Sequence, residues 1–100
     1  MRVRLVVFHL PEGSAPADHR RFRRAVYGEE SSSWQGKYRH HRAGFLDGVP
    51  HVRLYWGVVL VRDSDWGPFR KVLADHGAVL AWREVTPTAG DLRALEPPTT

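Results

Sequence analysis

The sequence contains no cysteine and a single methionine among its 100 residues. Disulfide-stabilised folds and thiolate metal sites are therefore excluded. The longest apolar run is too short to cross a bilayer and is interrupted by Gly57. The first ten residues combine a basic start with an apolar stretch, as a signal peptide does, but no small-residue cleavage site precedes Pro11. We therefore interpret residues 2–10 as a strand. We predict a cytoplasmic protein that does not insert into a membrane.

The composition is that of a small globular domain. Apolar residues make up 42% of the chain and charged residues 26%, which indicates neither a disordered chain nor a membrane protein. One hundred residues provide for one hydrophobic core. We predict a single domain over residues 1–95, followed by a flexible tail over residues 96–100.

Positive charge is concentrated in one quarter of the chain. The net charge is +4. Residues 19–42 contain seven Lys and Arg against only Glu29 and Glu30, whereas the segments before and after them are close to neutral. Such asymmetry favours a polyanionic partner more than an evenly basic surface would.

Hydrophobic spacing predicts a first helix between residues 14 and 28. Phe22, Ala25 and Val26 follow helical i, i+3, i+4 spacing, and arginines fill most positions around them. Ser14 suits the N-cap and Gly28 suits the C-terminal stop. The predicted helix has a narrow apolar stripe and a broad basic flank.

A second helix is predicted with a wider apolar stripe. Ser64 or Asp65 suits its N-cap, Pro68 is expected in its first turn, and Gly77 is expected to end it. Its stripe consists of Trp66, Phe69, Val72, Leu73 and His76. Thr88 to Asp91 resembles a capping box that would begin a short C-terminal helix.

Four strands are predicted from alternating or β-branched and aromatic segments, at residues 2–10, 36–44, 52–62 and 78–85. Residues 29–36 are predicted to form a loop. The resulting order is β-α-β-β-α-β, which predicts a ferredoxin-like α+β sandwich. We expect a four-stranded antiparallel sheet, two helices on one of its faces, and a short C-terminal helix. Its open face would suit a homodimer or a ligand.

The predicted second strand, GKYRHHRAG at residues 36–44, has no apolar face. We expect it at the edge of the sheet, paired only with the third strand. Charge on an edge strand discourages aggregation and requires no further function. Alternatively, basic groups interleaved with an aromatic ring bind phosphates and bases of single-stranded nucleic acid.

The first of two functional hypotheses is a nucleic-acid-binding module for RNA or DNA. The predicted strand order resembles that of RNA-recognition domains, and Arg53, Tyr55 and Val58 resemble part of one of their sequence motifs. The neighbouring Leu54, Trp56 and Gly57 depart from that motif, so we do not assign the chain to that family. The residues predicted to bind nucleic acid are Arg20, Arg21, Arg23, Arg24, Lys37, Tyr38, Arg39 and Arg42.

The second hypothesis is an enzyme or small-ligand binder that resembles the dimeric α/β-barrel proteins. In that group two open sheets face one another and enclose a pocket. The resemblance rests on Leu5-Val-Val-Phe-His9 followed by a capped helix, and it implies pocket residues His9, Tyr55, Trp56 and Trp82. A homodimer without further activity is a third alternative.

No metal site, cofactor or catalytic motif is predicted. His40 and His41 are adjacent on a predicted strand and therefore point to opposite faces. Neither predicted helix carries a histidine pair at metal-binding spacing. The serines at positions 31–33 lack the context of a catalytic nucleophile. Whether the protein is an enzyme is left open at this point.

Overall fold

The computed structural model describes residues 1–33 and 38–96, and for residues 32, 33, 38 and 39 it describes the backbone. Six strands and three α-helices lie within these residues, which confirms the prediction of an α+β fold with a four-stranded antiparallel sheet. In chain order the elements are β1 (Val3–His9), α1 (Pro16–Tyr27), β2 (Glu29–Ser33), β3 (Tyr38–Arg42), a 3₁₀ helix (Phe45–Gly48), β4 (His51–Tyr55), β5 (Val58–Arg62), α2 (Asp63–Asp75), β6 (Val79–Val85) and α3 (Ala89–Leu95).

The four-stranded sheet has the order β4-β5-β1-β6, and every neighbouring pair is antiparallel. In β1, Val6 lies opposite Val59 of β5 and Trp82 of β6. Residues directly opposite one another share a face. This register therefore defines a first face that includes Val6 and a second face that includes its neighbours Leu5 and Val7.

The main hydrophobic core lies on the first face. Branched and aromatic side chains of β1 and β5 alternate toward it, and the apolar stripes of α1 and α2 supply the opposing layer. Its principal members are Val6, Phe8, Phe22, Val26, Val59, Val61, Phe69 and Leu73. Most of the apolar burial that stabilises the fold is thus on this side of the sheet.

Among the residues that the structure describes, those that cover the second face lie at one of its ends. There, Leu95 of α3 packs with Val3 and Leu60, and all three side chains are buried. At the opposite end of the same face, Val7 and Val79 remain 40% and 48% exposed. An apolar surface is therefore uncovered beyond α3.

β2 and β3 form a separate two-stranded sheet, here called the ribbon. Residues 38–42 of the predicted edge strand pair with β2 and not with the main sheet, and residues 29–33 of the predicted loop form β2, so both predictions are wrong for these residues. The parts of both predictions that fall on residues 34–37 lie outside the described residues. The edge position belongs instead to β4, which pairs with β5. A strand without an apolar face has nothing to bury against the helices, and this composition fits a ribbon outside the core.

The ribbon leaves and rejoins the rest of the chain at one point. Gly28 follows α1 with a φ of +83°, and a Cβ on it would collide with the carbonyl oxygen of Arg42. A Cβ on Gly44 would collide with the backbone nitrogen of Gly28. Two glycines thus allow the outgoing and returning chain segments to touch.

The predicted single strand over residues 52–62 is instead a hairpin of β4 and β5. Its turn is Trp56 and Gly57, and Gly57 has a φ of +80°. A Cβ on Gly57 would lie 2.6 Å from the carbonyl oxygen of Phe8. The glycine is needed here for both its backbone conformation and its close approach to β1.

The predicted helix ends are partly confirmed. Gly28 and Gly77 follow α1 and α2, and the Thr88–Asp91 capping box of α3 is present with bonds of 3.0 and 3.1 Å. Ser14 does not cap α1, because its hydroxyl donates to the carbonyl of Pro11.

α2 begins earlier than predicted. Its first residue is Asp63, whose N–H donates to the carbonyl of Arg2, so neither Ser64 nor Asp65 is the N-cap. As a result Pro68 lies inside the helix rather than in its first turn. The predicted tail beyond residue 96 lies outside the described residues. No helix within the described ranges has the length and apolarity that a membrane crossing requires.

Candidate functional site

A groove of about 480 Å³ opens between α1 and the β4–β5 turn, at the end of β1. Its volume is within the range typical of small-molecule sites. Its lining combines four aromatic rings with three basic side chains, and one leucine and one glycine complete it. These residues are Phe8, Phe22, Tyr27, Trp56, His9, His19, Arg23, Leu10 and Gly57.

The aromatic rings of the groove form a chain of contacts from the core to the solvent. Phe8 packs edge-on against Phe22, with ring centroids 6.0 Å apart, and its centroid lies 6.2 Å from that of Tyr27. Tyr27 in turn meets Trp56 in a T-shaped contact at 4.8 Å. Phe8 is buried, whereas Trp56 is 57% exposed. A planar group entering from solvent therefore meets Trp56 first.

Tyr27 connects α1 to the hairpin turn. Its hydroxyl oxygen accepts a hydrogen bond from the backbone N–H of Gly57 at 2.8 Å. Burial raises the pKa of the Tyr27 hydroxyl above its ordinary value, although the bond from Gly57 and the charge of Arg53 act in the opposite direction. The hydroxyl consequently keeps its proton at neutral pH and can donate it.

Arg53 places a positive charge on the aromatic wall. Its guanidinium carbon lies 4.5 Å from the ring centroid of Trp56 and 6.0 Å from that of Tyr27. Such cation–π contacts are worth about 0.5–1 kcal/mol at exposed positions. Together with the T-shaped contact from Tyr27, they orient the indole ring of Trp56.

Besides the Tyr27 hydroxyl, the polar side chains that line the groove in the described residues are basic. His19 and Arg23 are exposed and lie one turn apart on α1, while His9 ends β1. Within residues 1–33 and 38–96, no carboxylate lines the groove and none forms an ion pair with Arg23. The groove therefore offers positive charge to an anion.

The imidazole of His9 has a defined tautomer. Its Nδ1 lies 2.8 Å from the carbonyl oxygen of Leu10. Because a carbonyl oxygen only accepts, Nδ1 carries the proton. Nε2 is left to accept a proton or, once protonated, to donate a hydrogen bond to a ligand.

The other predicted arginines of α1 are ion-paired. Arg20 and Arg24 lie 3.1 and 3.7 Å from carboxylate oxygens of Glu29, and Arg21 lies 3.5 Å from Asp18. Exposed pairs of this kind are weak, so they reduce the positive potential of the helix without removing it. Of the predicted residues whose side chains the structure describes, Arg23 is the one that lines the groove.

Of the residues predicted to bind nucleic acid, four belong to the segment of the ribbon: Lys37, Tyr38, Arg39 and Arg42. Arg42 is exposed and lies opposite Glu29 in the β2–β3 register. Tyr38 and Arg39 belong to the backbone of β3, but their side chains lie outside the described part of the chain, as does all of Lys37.

The residues predicted for an enclosed pocket do not come together as a set. His9 and Trp56 line the groove, but Tyr55 is 72% exposed and lies opposite Val58 on the second face. Trp82 lies on the first face next to Trp66, with ring centroids 5.8 Å apart.

Sequence reasoning did not single out His19 or Tyr27. The signal was their i, i+4 spacing around Arg23, which places all three on one side of the helix. A search with protein-family models finds no match, and neither a curated protein nor a solved structure matches the chain. The function is therefore argued from the groove itself.

Proposed function

We propose that this protein binds single-stranded nucleic acid, either RNA or DNA, through the groove between α1 and the β4–β5 turn. The observation that carries the proposal is the combination, in one groove, of an exposed aromatic wall with three basic side chains and, among the described residues, no acidic one. Trp56 supplies a surface for a base, and Arg23 supplies charge for a phosphate. Stacking of a base on an aromatic side chain contributes about 1–3 kcal/mol and tolerates any sequence.

The predicted basic residues extend the proposed site beyond the groove. Arg20 and Arg24 flank the side of α1 that carries Arg23, and their partner Glu29 competes with phosphate for them. Each phosphate that displaces counterions adds affinity that falls with salt. The expected binding is weak, poorly sequence-specific and strongly dependent on ionic strength.

Titration of labelled single-stranded RNA and DNA at low salt, followed by repetition at increasing salt, tests the proposal. Reversal of charge by Arg23→Glu is expected to weaken binding about tenfold, since a charge-assisted contact is replaced by repulsion. Arg93→Glu is the matched control, because Arg93 is exposed on α3, the helix packed on the second face. Absence of binding by the unmodified protein, or equal losses in both variants, would contradict the proposal.

The alternative, an enzyme or small-ligand binder, is supported by one observation: His9 lines the groove while its Nδ1 is bonded to the carbonyl of Leu10, so this bond does not engage Nε2. A dimeric α/β-barrel site would require a pocket enclosed by two sheets, whereas the groove is formed within one chain. A crystal structure of a dimer with His9 facing such a pocket would favour the alternative.

We also propose that the fold is ferredoxin-like, with the ribbon inserted between α1 and β4. If the ribbon and α3 are set aside, the order of the remaining elements is β-α-β-β-α-β, with the sheet order β4-β5-β1-β6. The predicted cytoplasmic location stays a prediction.

A homodimer through the uncovered end of the second face is proposed as well, supported by the exposure of Val7 and Val79. Light scattering of the unmodified protein and of Val79→Lys tests it, with a dimer expected for the first and a monomer for the second. A monomeric unmodified protein would refute the dimer.

A further inference from the structure

Three basic side chains from two elements line the same groove. His19 and Arg23 project from one side of α1, and His9 approaches from the end of β1. In the described part of the chain no acidic side chain lines the groove with them. This is a higher local density of basic groups than the stacking of a base requires.

Internal and terminal phosphates of a nucleic acid differ in charge, and this difference can be compared with the three basic side chains of the groove. A phosphodiester within a strand carries one negative charge, whereas a terminal phosphate carries about 1.5 to 2 at neutral pH and has three acceptor oxygens. Arg23 can donate two parallel hydrogen bonds to such a group and His19 can donate one. His9 adds a further donor at Nε2 when its ring is in the imidazolium form, because Nδ1–H is bonded to the carbonyl of Leu10. The donors of the groove therefore correspond better to a terminal phosphate than to an internal one.

The aromatic wall lies beside these donors. Trp56 is exposed at the turn, and its T-shaped contact with Tyr27 brings it next to the hydroxyl that still has a proton to donate. A terminal nucleotide carries its base and its phosphate on different carbons of one sugar, so both can contact a groove that holds rings and cations together.

We propose that the groove binds the phosphorylated end of a nucleic-acid strand, with the terminal phosphate among His9, His19 and Arg23 and the terminal base against Trp56. This inference rests on the proposed function, because it assigns the end of the strand to the same groove. It differs from the proposed function in requiring a preference for a phosphomonoester. Arg53 is also next to the wall, and its guanidinium carbon lies 4.5 Å from the ring centroid of Trp56.

Competition binding tests the preference. Unlabelled oligonucleotides of one sequence, bearing a 5′-phosphate, a 3′-phosphate or hydroxyls at both ends, displace a labelled strand from the protein. An unphosphorylated strand longer by two nucleotides controls for total charge, because it adds two phosphodiester charges against the roughly 1.5 to 2 of a terminal phosphate. RNA and DNA are compared in parallel. One phosphorylated end is expected to bind about tenfold more tightly than the hydroxyl ends, as charge-assisted hydrogen bonds imply.

Substitutions then locate the preference. Arg23→Gln and His19→Gln are expected to bring the affinity ratio of phosphorylated to unphosphorylated strand close to one. Both residues are exposed, so the folded state should persist. His40→Gln, at an exposed histidine of β3, is the matched control and should leave the ratio unchanged.

The outcomes separate the two proposals. Equal, salt-dependent binding of all strands would overturn end recognition and leave the proposed function standing. A preference that survives both groove substitutions would also overturn it. Failure of every strand to bind would overturn both proposals.

Discussion

The two faces of the main sheet differ in how they are covered. On the first face, α1 and α2 bury an extended apolar core that includes Phe69 and Leu73. On the second face, the seven-residue α3 buries a small cluster around Leu95, and the far end remains exposed. One face therefore carries most of the stability of the fold. Part of the other is left free, and the groove lies where the first face reaches its edge.

The largest expected effect is on the first face. Phe69 is fully buried and contacts the rings of Phe8, Phe45 and Trp66, with centroid distances of 5.6, 5.3 and 6.4 Å. Phe69→Ala should lower the free energy of unfolding by about 3–5 kcal/mol, because it removes these contacts and leaves a cavity. Urea denaturation measures the loss. A loss below that of Leu95→Ala would reverse the proposed order of the two faces.

Leu95→Ala is the corresponding change on the second face. Leu95 is fully buried with Val3 and Leu60, but the helix that carries it is short and can shift to fill the space. We expect a loss of about 2–3 kcal/mol, at the lower end of the range for buried leucine. Measurement in the same denaturant series makes the two faces comparable. A loss as large as that of Phe69→Ala would show that α3 is as firmly packed as α2.

Tyr27→Phe tests the edge of the first face at the groove. The ring contacts remain, but the N–H of Gly57 loses its acceptor. We expect a loss of about 1 kcal/mol, the usual contribution of one hydrogen bond. Amide hydrogen exchange at Gly57 should be faster in the variant than in the unmodified protein. Unchanged exchange would mean that the bond does not hold the turn.

The smallest effect is expected outside both faces, where the ribbon joins the 3₁₀ helix. The Asp47 carboxylate lies 2.8 Å from Nε2 of His41 and accepts a 2.8 Å bond from the N–H of Gly44. The bond with His41, followed by that from Gly44, lowers the pKa of Asp47 below its ordinary value.

A carboxyl group with a lowered pKa stabilises the folded state above its ordinary pKa of about 3.9, and this stabilisation is lost as the pH falls through the folded-state pKa. Since the pair is exposed, we expect a few tenths of a kcal/mol. Asp47→Asn should remove this part of the pH dependence when unfolding is measured between pH 7 and pH 2. Identical pH profiles for the two proteins would contradict the assignment.

The regular elements with an apolar stripe could be predicted from the sequence. α2 has the expected stripe around Phe69 and Leu73, because burial against a sheet requires that spacing. β2 could not be predicted, since its residues, Glu-Glu-Ser-Ser-Ser, are those of a loop and only pairing with β3 makes them a strand. The hairpin of β4 and β5 could not be told from one long strand, because residues 52–62 are mostly apolar or aromatic. Gly57 was the local signal of a turn.

The site was less predictable than the fold. The face of the sheet on which a side chain lies depends on the strand register, and a shift of one residue moves every side chain of a strand to the other face. For this reason Tyr55 and Trp82 were grouped with His9, although they lie on opposite faces of the sheet. Arg23 could be predicted from its charge alone. The sequence could not show that Glu29, the first residue of the ribbon, forms ion pairs with Arg20 and Arg24 and leaves Arg23 to the groove.

The meeting of Gly28 and Gly44 makes the ribbon an exchangeable part. Because the chain departs and returns at adjacent backbone atoms, excision of residues 29–43 leaves a gap that a very short linker can close. The same junction would accept a foreign hairpin of different length, provided that both glycines are retained. We therefore expect homologous proteins to vary most in the number of residues between Gly28 and Gly44. The distance between α1 and the 3₁₀ helix should stay the same.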